Sequence, residues 1–245
     1  MIDVPRIKRP PTMAQRIESF NWDVINIELN SHGAAVIGPL LSPEQCKTLV
    51  NGYDNEDLYR SRVVMARHGF GRGEYKYFRY PLPSIIAELR DSLYPYLAEI
   101  GNRWNEALGI DTRHPAKHEA FKARCHEAGQ PKPTPLILKY GAGDYNCLHQ
   151  DIYGEHVFPL QIAFLLSKPG EEFTGGEFTL TEQRPRMQSR VEVVPLEQGM
   201  GVIFPVHHRP AKGARGTYRV NMRHGVSRVR SGERFTMGVI FHDAK

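Results

Sequence analysis

The sequence predicts an α+β fold: an eight-stranded jelly roll (a double-stranded β-helix, cupin-like) with flanking N-terminal helices. Two observations carry most of this. Beyond residue 134, short runs rich in β-branched and aromatic residues follow one another at close intervals, punctuated by Gly and Pro. Before that point the apolar residues recur at helical spacing instead. A third observation completes the count. Seven runs are plain strands, and the segment around His149 and Asp151 supplies an eighth. Residues 1–133 are therefore read as helical and β-hairpin support, and residues 134–245 as the jelly-roll core, in one integrated domain. A chain of 245 residues is long enough to bury a sizeable core.

Each element follows from its own residues. The basic, proline-rich stretch Met1 to Pro11 lacks the apolar centre of a signal peptide and reads as a loose arm. Residues 13–31 place Ile17, Phe20, Val24, Ile25 and Leu29 on one helical face, with a stop at Gly33. Residues 34–37 make a short strand. At Ser42-Pro43-Glu44-Gln45 a serine caps, a proline fits the first turn and a glutamine returns a hydrogen bond, which predicts a helix start. Residues 62–66 and 75–80 alternate as strands around the glycine-rich turn 69–73. Ile86, Leu89, Leu93, Leu97, Ile100 and Trp104 mark a long amphipathic helix over 83–108, and 118–128 a second. Pro131, Pro133 and Pro135 then end helix formation. The strand runs are 136–140, 158–166, 177–181, 190–194, 201–205, 218–222 and 235–241. The run 158–166 is apolar apart from Gln161 and reads as a buried strand.

Residues two apart on a strand point to one face, so His149 and Asp151 converge. His224 stands where the seventh strand ends, and a jelly roll brings that strand beside the second. Two imidazoles and one carboxylate fill one face of Fe(II) and leave open positions, as a dioxygen-activating iron requires. A structural zinc site would need four protein ligands. Arg234 lies ten residues beyond His224, leading into an apolar strand, where its guanidinium can clamp one carboxylate of a dicarboxylic acid. Thr236 shares its face by period two. Together these residues point to an oxygenase using iron, O2 and 2-oxoglutarate, with His149, Asp151 and His224 as metal ligands and Arg234 on the cosubstrate. His208 is the rival distal ligand, since Arg219 follows at eleven residues; but His207-His208 reads as a turn, which favours His224. His156, His207 and His242 read as surface or hydrogen-bonded histidines. Cys147 falls on the parity of His149 and reads as a small buried residue.

At these residues the chain resembles the Fe(II)/2-oxoglutarate dioxygenases, over residues 134–243. The stretch with His224, Arg234 and Thr236 looks like the prolyl-hydroxylase-like branch, in which a basic residue about ten positions after the distal histidine binds the far carboxylate of 2-oxoglutarate. Leu148-His149-Gln150-Asp151, with Tyr140 nine residues before the histidine, looks like the AlkB-type nucleic-acid demethylases, which implies that Tyr140 also contacts 2-oxoglutarate. Two features depart from that pattern: Leu138 replaces its asparagine, and Arg234 lies nearer the distal histidine. The full chain is similar to a bacterial oxygenase family predicted to remove methyl groups oxidatively from damaged DNA. The stretches that carry this are 62–75, 141–151 and 181–190. The resemblance implies hydroxylation of a C–H bond coupled to decarboxylation of 2-oxoglutarate to succinate.

Composition bounds the partners. No apolar run approaches the roughly 18 residues of a membrane span. Three cysteines with no CxxC argue against a disulfide framework and for a reducing compartment, the cytoplasm. Net charge is +5, and six of the cations fall within residues 60–79 beside one acid, Glu74. Arg184, Arg186 and Arg190 begin a second basic stretch that runs through Arg209, Lys212 and Arg215 to Arg230. Such patches suit an anionic partner or a solvated surface. Three functions remain: an oxygenase of alkylated nucleobases in DNA, a hydroxylase of peptides (prolyl-type) or small molecules, and a non-catalytic jelly-roll binding module. Residues 67–79 interleave basic and aromatic side chains, as either a substrate lid or a hairpin with core aromatics.

Overall fold

The structure is a computed structural model that describes residues 11–152, 154–214 and 216–245. The expectation for the N-terminal arm lies almost wholly outside these residues, as does Arg215 of the basic stretch.

Local sequence signals set the helical half. The spacing at 13–31 yields two helices, α1 (Met13–Glu18) and α2 (Trp22–Ser31), because Asn21 caps a new start by accepting from the Val24 N–H. Strand β1 (Ala35–Ile37) follows, then helix α3 (Pro43–Asn51), opened by the Ser42/Gln45 capping box with Pro43 in its first turn. Strands β2 (Tyr59–Val64) and β4 (Glu74–Phe78) form the predicted hairpin, and between them β3 (Gly71–Arg72) leaves it to pair with the second sheet. Helix α4 (Ser84–Ala107) runs straight through Pro95. Its apolar face, from Ile86 to Trp104, is buried against the sheet, and that packing outweighs the cost of about 3 kcal/mol for an internal proline. Helix α5 (His118–Glu127) closes this half.

Beyond residue 134 the strands are β5 (Leu136–Tyr140), β6 (Tyr145–His149), β7 (Leu160–Leu165), β8 (Phe173–Gly175), β9 (Phe178–Gln183), β10 (Arg190–Val194), β11 (Gly201–Pro205), β12 (His208–Gly213), β13 (Gly216–Val226), β14 (Val229–Gly232) and β15 (Arg234–Val239). Strands β8, β12 and β14 were not expected from the sequence. The turn expected at His207-His208 is confined to its first residues, because His208 opens β12, which pairs with β13.

Two sheets make the jelly-roll core, and β8 and β14 pair apart from them as a two-stranded ribbon. One has the order β1-β11-β7-β15-β5-β4-β2, and the other runs β10-β9-β13-β6-β3. The first is covered: Leu89, Leu93 and Leu97 of α4 pack with Ile162, Phe164, Met237 and Val239. Its opposite face meets the second sheet through Ala163, Val202 and Phe204 against Leu180, Val220 and Met222. Strand β7 is therefore buried along its whole length, as its continuous apolar run predicts. The second sheet is bare outside, and Val191 and Val193 on its edge strand are 58% and 50% exposed. A cavity of about 410 Å³ opens between the sheets.

Candidate active site

Strand β6 pairs with β13 so that His149 stands directly opposite His224, the juxtaposition expected of a second and a seventh jelly-roll strand. Asp151 follows β6 by two residues, and its backbone N–H donates to the Val206 carbonyl at 3.3 Å. Gln150 fixes the same turn, donating to the carbonyls of His207 and Met222 at 2.8 and 2.9 Å. The carboxylate of Asp151 lies 3.2 Å from His224 Nε2 through one oxygen and 3.5 Å from His149 Nε2 through the other. All three ligand atoms fall within 4.8 Å of one another. Donors held about 2 Å from a common ion sit about 3 Å apart, so this spacing fits a single metal. His208 has no place in the cluster; its ring packs edge-on against His207, 3.8 Å away.

The surroundings prepare these donors. The His149 Nδ1–H donates to the Cys147 carbonyl at 2.8 Å, which leaves Nε2 as the lone pair facing inward. Burial, and then the neighbouring His224, pull the His149 pKa down and favour the neutral ring that a metal needs. For Asp151, burial acts to raise the pKa; His224, His149 and a hydrogen bond from Gln161 overcome it and hold the carboxyl ionised, well below the usual range. The Gln161 amide donates to Asp151 at 2.8 Å. Phe204 and Phe178 flank the His224 ring at 4.6 and 6.1 Å and hold it in place. Gln161, Phe178 and Phe204 escaped the sequence reading of the site. The signal for Gln161 was present as the single amide interrupting a buried apolar strand.

Arg234 is 1% exposed on the wall of the barrel. It donates to the Thr236 hydroxyl, and its guanidinium lies 5.6 Å from the Tyr140 ring and 5.8 Å from the Phe173 ring. No carboxylate among the described residues pairs with it, and its Nε has no hydrogen-bond partner. Burial pulls its pKa down to about 10, still charged at neutral pH. A buried, unpaired guanidinium is costly and calls for an anion. Thr236 and Tyr140, both buried, line the main cavity with the three candidate metal ligands. The donor set thus fits Fe(II) with 2-oxoglutarate and O2; Arg234 does not itself line this cavity and reaches it through Thr236.

Other expectations meet mixed outcomes. Cys147 is exposed at the cavity rim, so its reading as a buried residue is corrected: β6 is open to solvent there, with Tyr145 and Leu148 also exposed. In the 60–79 segment Arg62 pairs with Glu74, Lys76 is buried against Glu56, and Arg60 lies over Tyr77. Arg67, Arg72 and Arg79 are exposed. The aromatic residues divide as well. Phe78 is core, Tyr75 and Tyr77 line the cavity, and Phe70 lines it while remaining 47% exposed. The hairpin tip is fastened to β6 by the Gly71–Asn146 register and by the Cys147 N–H to Phe70 carbonyl bond of 2.9 Å. A Cβ on residue 71 would meet the Tyr145 carbonyl at 2.4 Å, so this close approach requires glycine. Arg184 and Arg190 both lean on Glu182.

Residues 73–244 match a protein family described as "Oxygenase, catalysing oxidative methylation of damaged DNA". The chain belongs to this family. It is an oxygenase, hence an oxidoreductase. An uncharacterized protein of Mycobacterium tuberculosis H37Rv is 49% identical over 167 residues, which are 68% of this chain and 72% of that one. Among solved structures, a 2OG-Fe(II) oxygenase family oxidoreductase from Burkholderia pseudomallei aligns with TM-score 0.53 at 14% identity, covering 92% of this chain and 93% of that one. A prolyl 4-hydroxylase from Phytophthora capsici aligns with TM-score 0.51 at 15% identity, over 96% and 67%. These two share the fold. No helix among the described residues is long and apolar enough to cross a membrane.

Proposed function

We propose that this oxygenase holds Fe(II) through His149, Asp151 and His224, holds 2-oxoglutarate through Arg234 with Thr236 and Tyr140, and oxidises the methyl carbon of an alkylated nucleobase in DNA. The observation that carries the reading is the meeting of three metal donors in one cavity beside a buried, unpaired arginine. When bound, the iron with 2-oxoglutarate and O2 supplies C–H oxidation, with succinate and CO2 as the cosubstrate's products. The residues of the chain do the positioning. Gln161 fixes which Asp151 oxygen faces the centre, and Cys147 fixes the His149 tautomer. Arg234 orients the dicarboxylate, and the apolar wall of Phe178 and Phe204 keeps water from the His224 side. An N-hydroxymethyl product expels formaldehyde unaided.

Two features support a nucleobase over an extended peptide. The family description names damaged DNA. The mouth offers flat rings, Phe70 outside and Tyr75 and Tyr77 within, next to the exposed Arg67 and Arg72. Rings stack on any base, and arginines meet phosphates.

The test incubates anaerobically iron-loaded protein with 2-oxoglutarate, oxygen and N-methylated single-stranded oligonucleotides. Succinate and formaldehyde in equal amounts are expected. Succinate with no change in the oligonucleotide transfers the reading to a peptide or small-molecule hydroxylase. Iron binding with no succinate on any substrate contradicts an oxygenase and favours a binding module.

A further inference from the structure

A second pocket, of about 300 Å³, lies against Arg234 and contains none of the metal-binding residues. Its lip is exposed at Gly170, Thr174 and Glu177, and Phe173 and Leu196 line it within. Arg234 lines this second pocket and meets the main cavity through Thr236. Its guanidinium bonds Thr236, which faces the main cavity, and lies between the Tyr140 ring of that cavity and the Phe173 ring of the second pocket. Phe178 borders both. The buried Nε of Arg234 has no partner. Gly176 makes the room: its φ is +64°, and a Cβ there would lie 2.8 Å from Arg234 Cδ.

A buried charge that lines one pocket and is hydrogen-bonded to a wall residue of the other attracts an anion towards both. We propose that the second pocket is a rear port to the dicarboxylate end of the active site, through which 2-oxoglutarate enters and succinate leaves past Arg234 without crossing the substrate mouth. This rests on the reading that Arg234 binds the cosubstrate. A long substrate lying over Phe70 and Leu148 would close the front, and a separate port lets small acids exchange beneath it. The lip carries one opposing charge. Glu177 is held by Ser227, whose hydrogen bond, helped by Arg230 and Arg234, keeps the carboxyl ionised. It therefore opposes a dianion's approach and, through its field on Arg234, also weakens the bound state.

The test measures exchange of radiolabelled 2-oxoglutarate on the Zn(II)-loaded protein by rapid filtration, so that no turnover is involved. Thr174→Trp places a ring over the port from an exposed position. It should lower association and dissociation rates together, by about tenfold, with Kd unchanged. Glu177→Gln should raise the association rate by a few fold and tighten Kd, because the charge it removes also acts on Arg234. An unchanged association rate in both variants, or a Kd that moves in Thr174→Trp, overturns the port. Failure of the unaltered protein to bind 2-oxoglutarate at all sinks the cosubstrate reading itself, which is a different result.

Discussion

The two sheets of the barrel divide the work. The sheet backed by α4 is buried on both faces at its centre and carries the residues proposed for the cosubstrate, Tyr140 on β5 and Arg234 and Thr236 on β15. The other sheet is bare outside and carries the two proposed metal histidines, His149 on β6 and His224 on β13, at an open mouth where His149 keeps 33% of its side-chain exposure. The difference is chemical. A charge that must hold one small dianion in one orientation gains from a dry, rigid wall, where its field is not screened. A metal that must meet a bulky substrate needs an edge.

The contrast can be broken from the metal side first. His224→Ala should weaken metal binding by more than about 100-fold, because even groups that merely orient a ligand cost about 10–100-fold. His208→Ala should bind as the unaltered protein does. Calorimetric titration with Mn(II) checks both, and the reverse pattern would name the wrong histidine.

On the other sheet, Arg234→Met should leave metal binding intact and weaken 2-oxoglutarate by about 100-fold, the loss expected for a charged hydrogen-bonded contact. Removing a buried unpaired charge should also leave the ligand-free protein equally stable, or more stable by up to about 4 kcal/mol. A thermal melt without cosubstrate reads the second effect. A large destabilisation would mean that Arg234 is a structural group.

Between them lies Gln161, on the covered sheet but bonded to Asp151. Gln161→Ala should lower metal affinity by about 10–100-fold while Arg234-dependent cosubstrate binding holds. Phe70→Ala acts at the rim and should weaken a methylated single-stranded oligonucleotide by about tenfold, the worth of one stacked base, with no effect on 2-oxoglutarate. Electrophoretic mobility or fluorescence anisotropy checks it.

The smallest effect concerns the helix-backed core. Burial holds His114 and His242 at about 4, against 6.5 when exposed. Between those values the unfolded chain binds more protons than the folded one. Their contribution is therefore whole above pH 6.5 and is lost as pH falls to about 4. His114→Phe, which places an apolar ring beside Phe121 and Phe158, should flatten that slope in urea titrations by roughly 1–3 kcal/mol at the acid end.

Much of this was legible in the chain. The spaced β-rich runs marked all eight jelly-roll strands, β7 by its continuous apolar stretch, and the two-residue spacing marked His149 and Asp151 as a pair, although Asp151 lies in the turn after β6 rather than on it. The choice of His224 over His208 followed from where the following strand begins, and the structure puts His224 in the cluster. What was hidden depends on distant neighbours. Cys147 shares the parity of His149 but sits where the sheet is open. Gln161 is a lone amide in an apolar run, and only the fold shows that it points at a carboxylate. Strands β8 and β14 pair only with each other and are too short to show alternation.

Anomalous diffraction at the iron edge, from crystals grown anaerobically with Fe(II) and 2-oxoglutarate, tests the central claim most directly. One peak is expected within bonding distance of His149 Nε2, His224 Nε2 and an Asp151 oxygen, with the distal carboxylate of 2-oxoglutarate on Arg234. A peak at His207 and His208, or a dicarboxylate that leaves Arg234 unpaired, would contradict it.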